Sequence, residues 1–464
     1  MKPSSHAEPS FPYLLMIAGT AALGGFLFGF DTAVINGAVL AIENHFHSTA
    51  WITGLSVSLA LLGSAVGAFA AGPLADRFGR IRCMVAASIL FTISAFGSGL
   101  PVTIWDFIFW RILGGMAVGA ASVIAPAYIA EVSPAHLRGR LGSLQQLAIV
   151  TGIFISLLSN YAIATSAGSA EATFWFGFSA WKWMFWMEMI PAVVYGFAAL
   201  NIPESPRYLV AKGRLDEARV VLGKVLGGDV EAKIAEIKTS LHTEVPPKFS
   251  DIRGSFGLLP IVWIGIGLSA FQQFVGINVI FYYGSALWRA VGFSESHALA
   301  LNVLTGVTNI LTTLIAIATV DKFGRRPLLL IGSLGMAVTL GTMAAVFANA
   351  PLDAAGSPVL QGAGAWAALI AANLYIFFFG ASWGPVVWVL LGEMFNNRIR
   401  AAALAVAASS QWVANFLVST TFPPLSSGLG LGWAYSLYAA AAAVSFVFVL
   451  KLVKETKGRE LESM

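Results

Sequence analysis

Twelve long apolar runs recur along this chain, at roughly residues 14–40, 52–75, 84–101, 105–129, 142–163, 183–201, 257–287, 299–320, 327–349, 365–391, 400–422 and 431–452. Each reaches the ~20 residues a helix needs to cross ~30 Å of hydrocarbon. Lipid offers no partner to a backbone N–H or C=O, so only helices and closed barrels can span it. Barrel strands would be ~10 residues of strict alternation, which these runs do not show. The expectation is therefore an all-α membrane protein with twelve transmembrane helices. Composition agrees: 57% of the 464 residues are hydrophobic and 11% are charged. A soluble domain carries roughly 25% charged residues, and a disordered chain combines high charge with low hydrophobicity. Cys83 is the one cysteine, which excludes an intrachain disulfide framework and a thiolate metal cluster. The first run is too long for a signal-peptide core and contains Asp31, so it is expected to stay as the first span.

Charge placement sets orientation. With the N-terminus in the cytoplasm, 24 of the 27 Lys and Arg residues fall on cytoplasmic segments; Lys182 and Arg289 fall outside and Arg111 lies within a span. The opposite orientation inverts this count, so both termini are expected inside. The one long polar stretch, 203–252, reads as short amphipathic helices ended by Pro246-Pro247. It divides the chain into 1–202, a cytoplasmic linker, and 253–464, with six spans in each half.

The halves echo each other. Asp76-Arg-Phe-Gly-Arg80 follows the second span and Asp321-Lys-Phe-Gly-Arg325 the eighth, 245 residues on. Glu131 and Arg138 end the fourth span; Glu393 and Arg400 end the tenth with the same internal spacing, at an offset of 262. Pro203-Glu-Ser-Pro-Arg207 ends the sixth, and Lys454-Glu-Thr-Lys457 ends the twelfth more loosely. A parallel six-plus-six repeat is an architecture of transporters that rock two bundles around a midplane site. With Gln272-Gln-Phe-Val-Gly-Ile-Asn278 added, these motifs make the chain resemble the major facilitator superfamily, and within it the sugar porters. The resemblance covers nearly all of 14–460 and implies two pseudo-symmetric six-helix bundles.

An uncharged ring of hydroxyls calls for amides, which both donate and accept, and for a flat aromatic face. The spans hold Gln146, Gln272, Gln273, Asn278, Asn309, Trp388, Gln411, Trp412 and Asn415. Gln411 and Asn415 share a helix face. Gln273 and Asn278 lie about 140° apart on an ideal helix and can meet only if it distorts; Gly276 sits between them. Amides also bond neighbouring membrane helices, and each of these alone could do so. The resemblance implies sugar-binding roles for the set, with Asn415 the least marked, and suggests Phe28 and Tyr282 or Tyr283 as aromatic gates. Gly25/Gly29, Gly63/Gly67 and Gly115/Gly119, each pair four apart, read as close helix contacts.

Three charges lie within spans: Asp31, Arg111 and Glu188. An ionised group at mid-bilayer costs ~2.5–3.5 kcal/mol on insertion scales and marks function. Asp31 and Arg111 belong to one half and can pair, either statically or as a switch in which the carboxylate takes a proton when the arginine moves. Proton-coupled sugar porters resemble this chain at all three positions, whereas passive facilitators carry asparagine in place of Asp31 and an apolar residue in place of Glu188. The resemblance thus implies a sugar/proton symporter, with a passive uniporter as the alternative. Ile153, two turns after Gln146, matches hexose facilitators rather than xylose carriers, which favours a hexose, glucose above others. On the cytoplasmic side Glu131 and Glu393 can meet Arg77, Arg80, Arg138, Arg325, Arg326 and Arg400 where the bundles join, an expected salt-bridge latch that holds the outward-facing state and breaks as the inside opens. Exposed pairs are individually weak, so only a network could bias the conformations.

The amide-rich spans argue against an exporter of cations or drugs. No metal spacing, nucleophile elbow or phosphate loop appears, so neither an enzyme nor ATP drive is supported. No basic face outside the membrane suits nucleic acid. The expected partners are sugar, protons and the lipid bilayer of a bacterial inner membrane, with no cofactor and no metal, and the chain is expected to act as a monomer.

Overall fold

The computed structural model describes residues 11–134, 137–225, 229–243, 249–254, 257–352, 358–395 and 399–456. Twelve spans are long and apolar enough to cross a membrane. The first half comprises α1 (Phe11–Phe46), α2 (Ala50–Phe78), α3 (Arg80–Ser98), α4 (Ile104–Val132), α5 (Arg138–Ala167) and a sixth span in two pieces, α6 (Ala180–Trp186) and α7 (Met189–Leu200). Three short helices follow, α8 (Pro206–Ala211), α9 (Leu215–Val225) and α10 (Val230–Thr243). The second half begins with a seventh span in two pieces, α11 (Pro260–Phe274) and α12 (Ile277–Ala290), then α13 (Glu295–Phe323) and α14 (Arg325–Ala348). The tenth span is α15 (Gly362–Phe378) and α16 (Gly384–Met394) joined by a π-helical segment, Phe379–Trp383; α17 (Arg400–Gly428) and α18 (Leu431–Leu452) complete it.

Thus spans six and ten, continuous in the sequence reading, are interrupted, and span seven breaks at Gly276, where the sequence reading placed a distortion. The interruptions fall at Glu188, at Gly276 and at the π segment, beside residues singled out for chemistry. Pro246 and Pro247 lie outside the described residues. The helices between the halves pack on the first half: Leu209, Val210, Leu222, Val225 and Ile234 join the core formed by α1, α3, α4 and α7. The side bearing this segment, the Gly79 and Gly324 turns and the start of α1 is called the linker side here, and its opposite the far side.

Small residues let backbones touch. A Cβ on Gly115 or Gly119 of α4 would lie 1.9 Å from the Ala60 or Ser64 carbonyl oxygen of α2. Gly63 and Gly67 of α2 stand as close to the Ile112 and Met116 carbonyls, at 2.3 and 2.0 Å. Such contact replaces the hydrophobic effect, which lipid does not supply between helices.

The sequence echoes become one device built twice. In the first half Glu204 accepts the N–H groups of Arg80 and Ile81 at 3.0 and 3.2 Å, capping α3, while Arg80 binds Glu131 at 2.8 Å. In the second, Glu455 accepts Arg325 and Arg326 N–H at 3.0 Å each, capping α14, while Arg325 binds Glu393 at 2.8 Å. A carboxylate at a helix N-terminus satisfies orphan donors and opposes the positive end of the dipole.

The loop charges expected to form the latch pair as follows in this arrangement. Among the described residues Glu131 and Glu393 pair with arginines of their own half. Arg77 stacks on Phe78 at 5.1 Å, Arg326 donates to the Leu450 carbonyl at 2.8 Å and Arg400 to the Phe395 carbonyl at 3.2 Å, again within each half. The side chain of Arg138 lies outside the described residues. The hydrogen bonds between the halves among described residues lie toward the far side. Asn36 of α1 donates to the Ile280 and Phe281 carbonyls of α12 at 3.2 and 3.0 Å and accepts from the Ser285 N–H and the Asn302 amide. Thr420 bonds Ser58 at 2.6 Å, and the Ala170 N–H donates to Glu295 at 2.7 Å.

Candidate functional site

Asp31 and Arg111 meet inside the first half. The guanidinium donates to the carboxylate at 2.6 Å and to the Asp31 carbonyl at 3.0 Å, with both side chains at most 3% exposed. Gly114, one turn after Arg111, admits the carboxylate: a Cβ there would come within 3.1 Å of it. Glu188, at the break between α6 and α7, is 1% exposed and faces the same pair, within reach of Asp31 and in the field of Arg111. One of its oxygens has no partner among the described residues. Two carboxylates thus lie near one guanidinium at membrane depth, with Asp31 its ion-pair partner.

A small cavity, with room for about one water, adjoins this group; it is lined by Asp31, Thr32, Ile35, Val57, Arg111 and, from the second half, Tyr282. Tyr282 leads to the amides: its hydroxyl accepts from Asn415 at 3.5 Å. One turn earlier on α17, Gln411 donates to the Gln272 oxygen. Gln273 donates to the same oxygen at 3.4 Å, and Asn278 donates to Gln273 at 2.6 Å across the break between α11 and α12. The distortion at Gly276, φ +80°, is what brings these two amides together. Glycine adopts this left-handed backbone without the steric cost other residues meet.

Gln272 is the hub of the cluster. Its amide hydrogens go to the Trp383 and Gly384 carbonyls at 2.9 and 3.0 Å, where the π segment meets α16. The Gln411 oxygen is buried and unpartnered among the described residues. An aromatic contact joins the halves: the Phe28 and Trp412 rings are 6.4 Å apart. Phe28 lies one turn before Asp31 on α1.

The other expected residues stand apart from this network. Gln146 is half-buried with no hydrogen bond among the described residues, Asn309 is buried beside Gly380, and Trp388 is 46% exposed. Tyr283 is packed within the second half: its hydroxyl donates to the Ser419 carbonyl at 2.7 Å and its ring lies 5.3 Å from Phe422. Sequence reasoning missed Asn36, Ser285 and Asn302. Asn36, a polar residue five after Asp31 within an apolar run, was the available signal.

Comparison with known proteins adds the family. The model of the family described as sugar (and other) transporter matches residues 17–464. The chain belongs to this family. As a sugar transporter family member it is 64% identical, over the whole of both chains, to a glucose transport protein of Synechocystis sp.. It is 39% identical to the D-xylose-proton symporter of Escherichia coli strain K12, covering 97% of this chain and 95% of that one. Among solved structures it superposes on the inward open conformation of the xylose transporter XylE from E. coli with a TM-score of 0.83 at 37% identity, covering 97% and 98% of the two chains. Sugar transporter membership accounts for the two-bundle fold: the chain is a multi-pass membrane protein of the major facilitator architecture.

Proposed function

We propose that the chain is a proton-coupled hexose symporter, with glucose as its sugar. It works as a monomer by alternating access in a bacterial inner membrane, the halves 1–202 and 253–464 rocking against each other while the linker and both termini stay in the cytoplasm. One observation carries the reading: the Asp31–Arg111 pair, with Glu188 beside it, shares its cavity with Tyr282 of the other half. Charge balance and bundle contact thereby meet at one place.

Gln273, Asn278 and Gln411 take the sugar hydroxyls, with Gln272 holding them in place. Gln146, Asn309, Trp388 and Asn415 add contacts as the halves close, and Trp412 with Phe28 supplies the aromatic wall. Two carboxylates on one guanidinium leave one negative charge that a proton cancels; with the proton on, Arg111 is released to the remaining carboxylate and α1 is free to shift Phe28 against Trp412. In this reading the linker side is cytoplasmic and open. The Arg80–Glu131 and Arg325–Glu393 pairs exchange partners across the bundles when it shuts. The names of two relatives, one for glucose and one for xylose with a proton, support the substrate class and the coupling.

A membrane potential of 100 mV supplies ~2.3 kcal/mol per proton, enough for roughly 50-fold accumulation. In proteoliposomes containing a pH dye, D-glucose entry is expected to acidify the lumen. Asp31→Asn is expected to abolish accumulation and to keep sugar exchange. Glucose entry without proton movement would identify a passive uniporter, and a panel of sugars in the same vesicles tests the choice of hexose.

A further inference from the structure

A broken membrane helix leaves backbone carbonyls without helical partners at the depth where lipid offers none. The carbonyl of Val275, at the end of α11, is one of these. A donor reaches it from another span: the Tyr375 hydroxyl of α15 donates to it at 2.7 Å. Both residues are fully buried. On the neighbouring residue the backbone is held by contact. A Cβ on Gly276 would fall 2.7 Å from the Tyr438 ring of α18, so that ring lies flat against the bare backbone.

We propose that Tyr375, with the Tyr438 ring behind it, is a positioning residue for the sugar site. Its hydroxyl pins the end of α11, and so fixes the separation of Gln273 from Asn278. These two amides lie two residues to either side of the pinned Val275–Gly276 pair and bond each other at 2.6 Å. Without the pin, α11 and α12 can turn against each other about Gly276, and the amides part. This rests on the reading of Gln273 and Asn278 as sugar ligands.

The molecule supplies its own control. Tyr435 is also fully buried, its ring 5.8 Å from that of Tyr438, but its hydroxyl has no partner among the described residues. Equilibrium binding of D-glucose to purified full-length protein, with thermal unfolding in parallel, separates the possibilities. Tyr375→Phe is expected to raise the Kd about tenfold, the scale of one buried group losing its partner, in protein that remains folded. Tyr435→Phe is expected to bind as the unsubstituted protein does. A general packing role would lower the melting temperature and leave the Kd of the folded protein unchanged, and so would overturn the proposal. Equal weakening by Tyr435→Phe would do the same. Gln273→Ala is measured alongside. If it loses binding while Tyr375→Phe does not, the pin is wrong and the sugar site stands. If both bind normally, the sugar site has failed and the pin with it.

Discussion

Asp31 and Arg111 lie 2.6 Å apart where neither is tolerated alone. Removing one partner of a buried pair strands the other at a cost of ~3–5 kcal/mol. Asp31→Asn leaves Arg111 the nearby Glu188, whereas loss of the arginine leaves two buried carboxylates with no cation, so the Asn change is the informative one. The amides divide in the same manner. Gln273 spends its bonds on neighbouring amides, whereas Gln272 also satisfies the Trp383 and Gly384 carbonyls. Gln273→Ala is therefore expected to weaken D-glucose binding about tenfold with little change in melting temperature. Gln272→Ala is expected to lower both, since orphaned buried carbonyls cost ~1–3 kcal/mol. Binding isotherms and thermal unfolding on the same preparations check the contrast. These residues were legible in the sequence, because an amide or a carboxylate inside an apolar run stands out. Their division of labour was not: it depends on which backbone carbonyls the π segment exposes to Gln272.

Among the elements, the interrupted spans matter most. Apolar composition marks where a segment crosses but not where it bends, so spans six and ten read as continuous. Only Gly276 betrayed its break beforehand, through the 140° that separates Gln273 from Asn278 on an ideal helix. Gly276→Ala meets two obstacles: a φ of +80° and the Tyr438 ring 2.7 Å from the new Cβ. Strain of this kind costs ~1–3 kcal/mol before the clash is counted. The variant is expected to unfold at a lower temperature and to lose D-glucose binding. Wild-type affinity in folded Gly276→Ala would show that the break does not set the site.

At the scale of the whole molecule, the bundles touch where the far side is shut. Asn36 is fully buried and joins α1 to α12 and α13 through four hydrogen bonds. Asn36→Ala removes them together and is expected to shift the population toward states parted on the far side. Spin labels at Trp51 and Leu429, exposed at the far-side ends of α2 and α17, would then report longer distances. An unchanged distance distribution would show that Asn36 does not hold that side closed. The expected latch belongs to the same scale, since its pairs across the bundles are expected only when the linker side is shut. Glu131 pairs with Arg80 and Glu393 with Arg325, but a list of charges does not say which side of a two-state machine is closed.

The count of spans, the two-fold repeat and the candidate residues follow from the chain itself, because lipid imposes a length on every crossing and a cost on every buried polar atom. Both are paid residue by residue and leave their mark in the order of amino acids. What only the tertiary structure decided is relational: Glu188 beside Asp31, Tyr282 on the cavity of the opposite half, Tyr375 on the carbonyl of Val275. These contacts join residues far apart in sequence, and they depend on helix rotation, on breaks and on which ends of the bundles meet. One sequence permits several such arrangements, and packing selects among them.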